Sequence, residues 1–203
     1  MKPFSKRTFT ASLLLQSMVA TLVSFPVLLI AYIKPATSRA LREKVMLGVT
    51  TVNDCRYCSW AHTGLALANG VDLDELAQLL DSGTFGTVDD REATAILFAK
   101  HYADTLGKPS KEAHAALARQ FTACQRAEIM AYIHSIYYAN LSGNSLDAWL
   151  ARFSGRKVVD GHPLPEAIAA LIAAPVGLMG MLLSRKIRPE AMQSFDEETA
   201  GKA

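Results

Sequence analysis

Apolar positions along the chain recur at helical rather than strand spacing, and they divide it into three stretches. Between Thr8 and Ile33 no charged residue occurs; Lys2, Lys6 and Arg7 precede this run and Lys34-Pro35 closes it. From Thr37 to about Gly155 the pattern is that of successive amphipathic helices. Thr37/Ser38 caps a helix with Leu41, Val45 and Val49 on one side and Glu43 near its start. Asn53-Asp54 is a stop-and-recap signal, leading into a helix that begins near Asp54 and runs to Asn69-Gly70. Asp72 with Glu75 reads as a capping box on a short helix ending at Ser82-Gly83. Asp89-Asp90 opens a helix through Ala93, Ile96, Leu97 and Tyr102 that Gly107-Lys108-Pro109 closes, and Ser110 opens another to Phe121. Gln125 to Leu141 is helical with Ile129, Ile133 and Ile136 inward; Asn140 to Asn144 is predicted to break it before a last short helix with Leu146, Trp149 and Leu150. A second uncharged run, Ala167–Ser184, follows His162-Pro163-Leu164-Pro165 and precedes Arg185, Lys186 and Arg188; residues 189–203 are polar. No alternation of useful length predicts a strand, so the expected fold class is all-α.

The first uncharged run exceeds the roughly 20 apolar residues that cross a bilayer, although Gln16, Ser17, Thr21 and Ser24 dilute it and Pro26 should kink it. A cleaved signal peptide fits less well, because no small-x-small site follows before Lys34. Membrane anchoring and burial in an oligomer both remain open for this run, and for the 18-residue second run. Basic residues flank both runs on both sides, so charge does not choose an orientation. The expected organisation is an apolar N-terminal helix over 1–34, a core over 35–155, and a C-terminal extension over 156–203 with an apolar helix and a polar tail.

Lys+Arg outnumber Asp+Glu by only 21 to 19, which argues against a nucleic-acid surface. Three cysteines make no disulfide framework. Two of them, Cys55 and Cys58, form a CxxC, whose disulfide closes too small a loop to be a structural staple. On one helix, positions 55, 58 and 62 fall at about 0°, 300° and 340°, so both thiols and His62 share a face. A helix N-terminus favours thiolate, most of all at Cys55, and an imidazole one turn on can accept or supply a proton. Glu43, upstream, has no evident local partner beyond Arg39 and Lys44, and against His62 it would orient the ring in a nucleophile–base–orienter relay. Zinc would want four ligands; Cys55, Cys58, His62 and Cys124 are the only set available, and no second CxxC or HxxxH is present. Two inert buried thiols is the remaining bland reading. Cys124 is expected to be a packed small residue, and His134, Tyr137, Tyr138 and Asn140 to pack in the core or line the site from a second helix.

Glu-x11-Cys-x-x-Cys-x3-His, with Thr-Gly-Leu-Ala-Leu-Ala-Asn-Gly at 63–70, resembles the core of the AhpD-like alkylhydroperoxidases of the carboxymuconolactone decarboxylase superfamily. The likeness spans about residues 37–155, with Asp89 to Phe153 resembling the second half of the family fold. It implies an AhpD-like helical bundle, a homo-oligomer of three subunits or more, and a metal-free, cofactor-free hydroperoxide reductase or dithiol–disulfide oxidoreductase. The implied partners are a hydroperoxide substrate and a dithiol reductant protein, a lipoylated protein by the family's example. In that scheme Cys58 is the peroxidatic thiol, Cys55 the proton donor and resolving thiol, and His62 with Glu43 the proton relay. One departure is visible: Tyr57 stands where better-studied peroxidases carry histidine. A different class of function also fits the chain, a non-catalytic, membrane-associated oligomer that keeps the dithiol for interaction or redox sensing. The location expected is membrane-associated or cytoplasmic, with orientation undetermined.

Overall fold

In a computed structural model, residues 3–80 and 89–172 are described. Within them the chain is helical, with α1 (Ala11–Ile33), α2 (Arg39–Asn53), α3 (Arg56–Ala68), α4 (Leu73–Leu80), α5 (Asp90–Asp104), α6 (Lys111–Gln120) and α7 (Ala123–Phe153). A short apolar helix, Pro163–Ile172, follows. The only strand-like pairing among the described residues is one isolated bridge between Phe4 and Val158. The part of the second apolar run from Ala173 onward, the polar tail and the helix end at Ser82-Gly83 lie outside the described residues.

Side-chain caps set most helix starts, at Ser38, Asp89 and Ser110 as their sequence signals predict. Thr10, Ser38, Asp89, Ser110 and Thr122 each accept a backbone N–H three residues on, satisfying donors that the first turn leaves unpaired. At α7 the cap is reciprocal: the Gln125 side chain accepts from the Thr122 N–H while the Thr122 hydroxyl accepts from the Gln125 N–H. Thr122→Ala should therefore cost about 1 kcal/mol, read as a lower denaturant midpoint at unchanged m-value. The capping box expected on α4 is not formed. Asp72 accepts from Asp74 N at 2.8 Å, but Glu75 turns away to the ammonium of Lys44, where Glu92 also binds. A buried lysine recruits the carboxylate more strongly than a helix terminus does.

α2 lies at the centre, against α3, α4, α5 and α7. Its Val45, Met46 and Val49 join Phe98, Tyr102, Ile129, Ile133 and Leu141 in the main core. Leu47 on its other side meets Leu76, Leu79 and Ile96. On α5, Ile96 and Tyr102 are buried while Leu97 is 51% exposed.

α1 runs antiparallel along α7. Phe9 N donates to Ser145, Thr21 Oγ1 to the His134 carbonyl, and the N–H groups of Ala36 and Thr37 to Glu128. Rising numbers on one chain segment thus meet falling numbers on the other. Three of its polar residues face inward: Ser24 Oγ lies 2.6 Å from His134 Nδ1, Thr21 Oγ1 reaches the His134 carbonyl, and Ser17 Oγ donates to Leu13 O, whereas Ser12 and Gln16 are exposed. Leu15, Leu22, Val23, Ile30 and Ile33 point outward and are exposed. This inward polarity explains why Ser17, Thr21 and Ser24 interrupt an apolar run. The helix has the length and hydropathy of a membrane span, a test that signal sequences and core helices also pass. Pro163–Ile172 is tied down by Glu166, fully buried, which takes bonds from Thr8, Arg152 and the His162 N–H.

The largest departure from the sequence reading is α7, which runs unbroken through Asn140–Asn144. Asn140 Nδ2 donates to Thr50 Oγ1 at 3.2 Å, and Asn144 Nδ2 donates to the carbonyls of Asn53 and Arg7. These side chains spend their polarity across the helix interface on α2 and on the segment before α1, not on their own backbone. The helix has no reason to stop.

Candidate active site

The joint between α2 and α3 builds the site. Asp54 ends α2 in the left-handed region, φ 53° and ψ 45°, and its N–H bonds to Thr50 O. Aspartate and asparagine tolerate this conformation better than other non-glycine residues, which is why an Asn-Asp pair can turn the chain in one residue. Lys6 fastens the turn from outside, with its ammonium 2.7 Å from Asp54 O and 3.0 Å from Oδ2. Cys55 then occupies the N-cap position and α3 starts at Arg56, one to two residues later than the sequence pattern predicts. The consequence is chemical: one thiol sits on the helix end and the other in its first turn.

Cys55 and Cys58 are free thiols with their sulfurs 3.0 Å apart. Cys55 is 1% exposed, whereas Cys58 is partly exposed. The hydrogen bond shared with Cys58 chiefly holds Cys55 below its ordinary thiol range; burial opposes it. The Tyr57 and Cys58 N–H groups add to the lowering, acting on the sulfur without closing a capping bond of ordinary geometry. Cys58 is pushed well above its usual value by the same bond, by burial and by negative charge on Cys55, with Asn140 acting the other way. The two thiols are thereby made unequal: loss of a proton is eased at the buried Cys55 and resisted at the partly exposed Cys58.

Glu43 and His62 are in direct contact. His62 Nδ1 lies 2.7 Å from Glu43 Oε2, across the α2–α3 packing. Glu43 is 1% exposed, and its second oxygen accepts from Arg42 Nε at 2.7 Å. Burial alone would raise the Glu43 carboxyl, but the bonds and charges of His62 and Arg42 outweigh it and hold the group ionised below its normal range. The Arg42 guanidinium is itself stacked 4.6 Å above the Tyr32 ring of α1. With its Nδ1 engaged by a carboxylate, the His62 ring has a fixed orientation, and as the i+4 neighbour of Cys58 it shares that thiol's face of α3.

Cys124 does not belong to this group. It is exposed at the start of α7, not packed, and Asn140 on the same unbroken helix is 16 residues further on, roughly 24 Å at 1.5 Å per residue. The four-ligand zinc set is thereby dispersed. His134 faces α1, with Ser24 as its partner, and does not line the dithiol.

Four further residues complete the surroundings: Asn140, one of those expected in the core or at the site, and Arg42, Gly143 and Asp147, which local spacing did not single out. Arg42 pairs Glu43, as above. On α7, Asn140 acts on Cys58, Gly143 lies against Cys55, and Asp147 accepts from both Tyr57 Oη at 2.7 Å and Arg56 Nη2 at 2.6 Å. A Cβ added to Gly143 would stand 2.9 Å from Cys55 Sγ and 3.3 Å from Tyr57 Cδ2. Gly143→Ala should thus push the dithiol and α7 apart, destabilising the fold by about 1–3 kcal/mol; thermal unfolding with thiol-labelling rates checks this. Positions 140, 143 and 147 fall at helical spacing, a stripe of small and polar residues on an otherwise apolar helix, and that is the signal that could have found them.

Residues 25–101 match the family model described as carboxymuconolactone decarboxylase family. The matched stretch begins inside α1 and contains Glu43, Cys55, Cys58 and His62. No curated protein and no solved structure matches the chain.

Proposed function

We propose that this chain, whose residues 25–101 match the carboxymuconolactone decarboxylase family model, is a dithiol–disulfide oxidoreductase that reduces hydroperoxides. The family includes alkylhydroperoxidases as well as carboxymuconolactone decarboxylases. The observation that carries the reading is the pair of contacts at one helix end: two thiols 3.0 Å apart, and a histidine held at 2.7 Å by a buried carboxylate. A decarboxylase has no use for such a dithiol.

The chemistry follows from the unequal thiols. Cys58, the accessible one, gives its proton to His62 and its sulfur attacks the terminal peroxide oxygen. The O–O bond breaks, the alcohol leaves with a proton returned by the relay, and Cys58 becomes a sulfenic acid. Cys55, whose proton loss is eased, attacks the Cys58 sulfur as thiolate; the S–O bond breaks, the leaving hydroxide takes up the proton that Cys55 released and departs as water, and the disulfide forms. A disulfide needs about 2.05 Å between sulfurs, so the 3.0 Å contact closes by side-chain movement of about 1 Å. An external dithiol then returns the pair to thiols by exchange. Nothing in this cycle calls for a metal.

The test is steady-state consumption of an alkyl hydroperoxide by the full chain, with dihydrolipoamide or dithiothreitol as reductant. Turnover that depends on the dithiol supports the reading. A disulfide that forms and is reduced without peroxide turnover would favour the redox-sensing alternative.

A further inference from the structure

The two thiols differ in access: Cys55, whose proton loss is eased, is closed off, and Cys58, whose proton loss is resisted, is partly exposed. What closes Cys55 is α7. Gly143 and Asp147 are i,i+4 neighbours on this helix and face the dithiol together. The missing side chain at Gly143 leaves a recess in which the Cys55 sulfur and one edge of the Tyr57 ring both rest, since a single Cβ there would collide with both. Asp147, with its side chain 9% exposed, takes the Tyr57 hydroxyl at 2.7 Å and Arg56 at 2.6 Å on the same carboxylate oxygen. Arg56 also donates to the Tyr57 hydroxyl at 2.7 Å and lies 4.7 Å over its ring. Tyr57, between the two cysteines in sequence, is thus pinned at three points.

We infer that Gly143 and Asp147 are positioning residues that select the reacting sulfur: they seat Cys55 and clamp Tyr57 beside it, so that outside molecules meet only Cys58. The inference rests on the dithiol reading of the site. In the reductive half-cycle, a thiolate of the external dithiol attacks Cys58 Sγ. An S–S bond forms between reductant and Cys58, the Cys55–Cys58 bond breaks, and the electron pair leaves on Cys55. That sulfur is the better leaving group because the N–H groups of the helix end stabilise its charge. The second thiol of the reductant then attacks its own sulfur in the mixed disulfide, releasing Cys58, which takes up a proton. The clamp makes this order obligatory, and Tyr57 holds Cys55 where a histidine at position 57 would lack the hydroxyl that reaches Asp147.

Site-resolved alkylation distinguishes selection by access from selection by acidity. By thiolate content alone Cys55 should alkylate first. The clamp predicts the reverse. Reduced full-length protein is treated with limiting iodoacetamide at neutral pH and each cysteine is followed by peptide mass spectrometry, with exposed Cys124 as the internal standard. In the unaltered protein Cys58 should be labelled at least tenfold faster than Cys55. Tyr57→Ala should raise the Cys55-to-Cys58 ratio tenfold or more, Tyr57→Phe should raise it less, and Asp147→Asn, which still offers an acceptor to the tyrosine, should leave it near the starting value. If Tyr57→Ala unfolds the chain, all three cysteines approach the Cys124 rate, and Tyr57→Phe against Asp147→Asn carries the test. Cys55 labelled first in the unaltered protein, or a ratio indifferent to Tyr57→Phe and Tyr57→Ala, overturns the inference. No peroxide enters this measurement, so an absence of peroxidase activity leaves its outcome readable.

Discussion

Cys58→Ser should abolish peroxide turnover, with a loss on the order of 10³-fold or more, as expected for removal of a nucleophile. Cys55→Ser should behave differently. It should retain a single attack, so that one equivalent of hydroperoxide is consumed, Cys58 stays as a sulfenic acid, and turnover stops for want of the second sulfur. The asymmetry follows from burial, because Cys55 is 1% exposed while Cys58 is partly exposed. A sulfenic-acid-trapping reagent with mass detection separates the two variants. Equal residual turnover in both would show that either thiol can start the reaction, which the buried position of Cys55 does not allow.

Glu43→Ala has the second-largest effect, and it acts on both activity and stability. Removing the carboxylate leaves Arg42 and His62 without their shared partner. Breaking a buried ion pair from one side costs about 3 kcal/mol or more. Turnover should fall about 10²-fold, in the range for loss of an oriented acid–base group. Glu43→Gln keeps the shape and loses the charge, so it should keep more of the stability than of the activity. The acid limb provides a further check. The folded-state Glu43 pKa lies below its unfolded value, so its contribution to stability is fully present above the unfolded carboxyl value near 4.5 and drains away as pH falls through the lower folded value. Unfolding midpoints across pH 6 to 3 should show less acid loss in Glu43→Gln than in the unaltered chain.

Much of this was legible in the sequence because it depends on local spacing. Ser38, Asp89 and Ser110 predict helix starts, and each is a cap in the structure. Cys55, Cys58 and His62 share a helix face by arithmetic alone. Glu43 reaching His62 is a tertiary contact, and only the family resemblance pointed to it. What spacing could not give is how a helix from the far end of the chain completes the site. Asn140, Gly143 and Asn144 look like helix breakers, since asparagine and glycine favour turns where nothing else engages them. In α7 all three are engaged by α2, the segment before α1, or the dithiol, and the sequence mark of a turn is the mark of an interface. Asp147 and Tyr57 show the same limit, as their contact joins residues 90 apart. The inward polarity of α1 was equally hidden. Its apolar face dominates the composition, whereas Ser17, Thr21 and Ser24 turn toward α7 and the helix interior.

The most direct measurement of the central claim is a titration of the reduced full chain with an alkyl hydroperoxide in the absence of reductant. The expected result is loss of two thiols and formation of one equivalent of alcohol per peroxide, with a Cys55–Cys58 disulfide found by peptide mass spectrometry and Cys124 still reduced. Peroxide left unconsumed, with all three thiols intact, would contradict it.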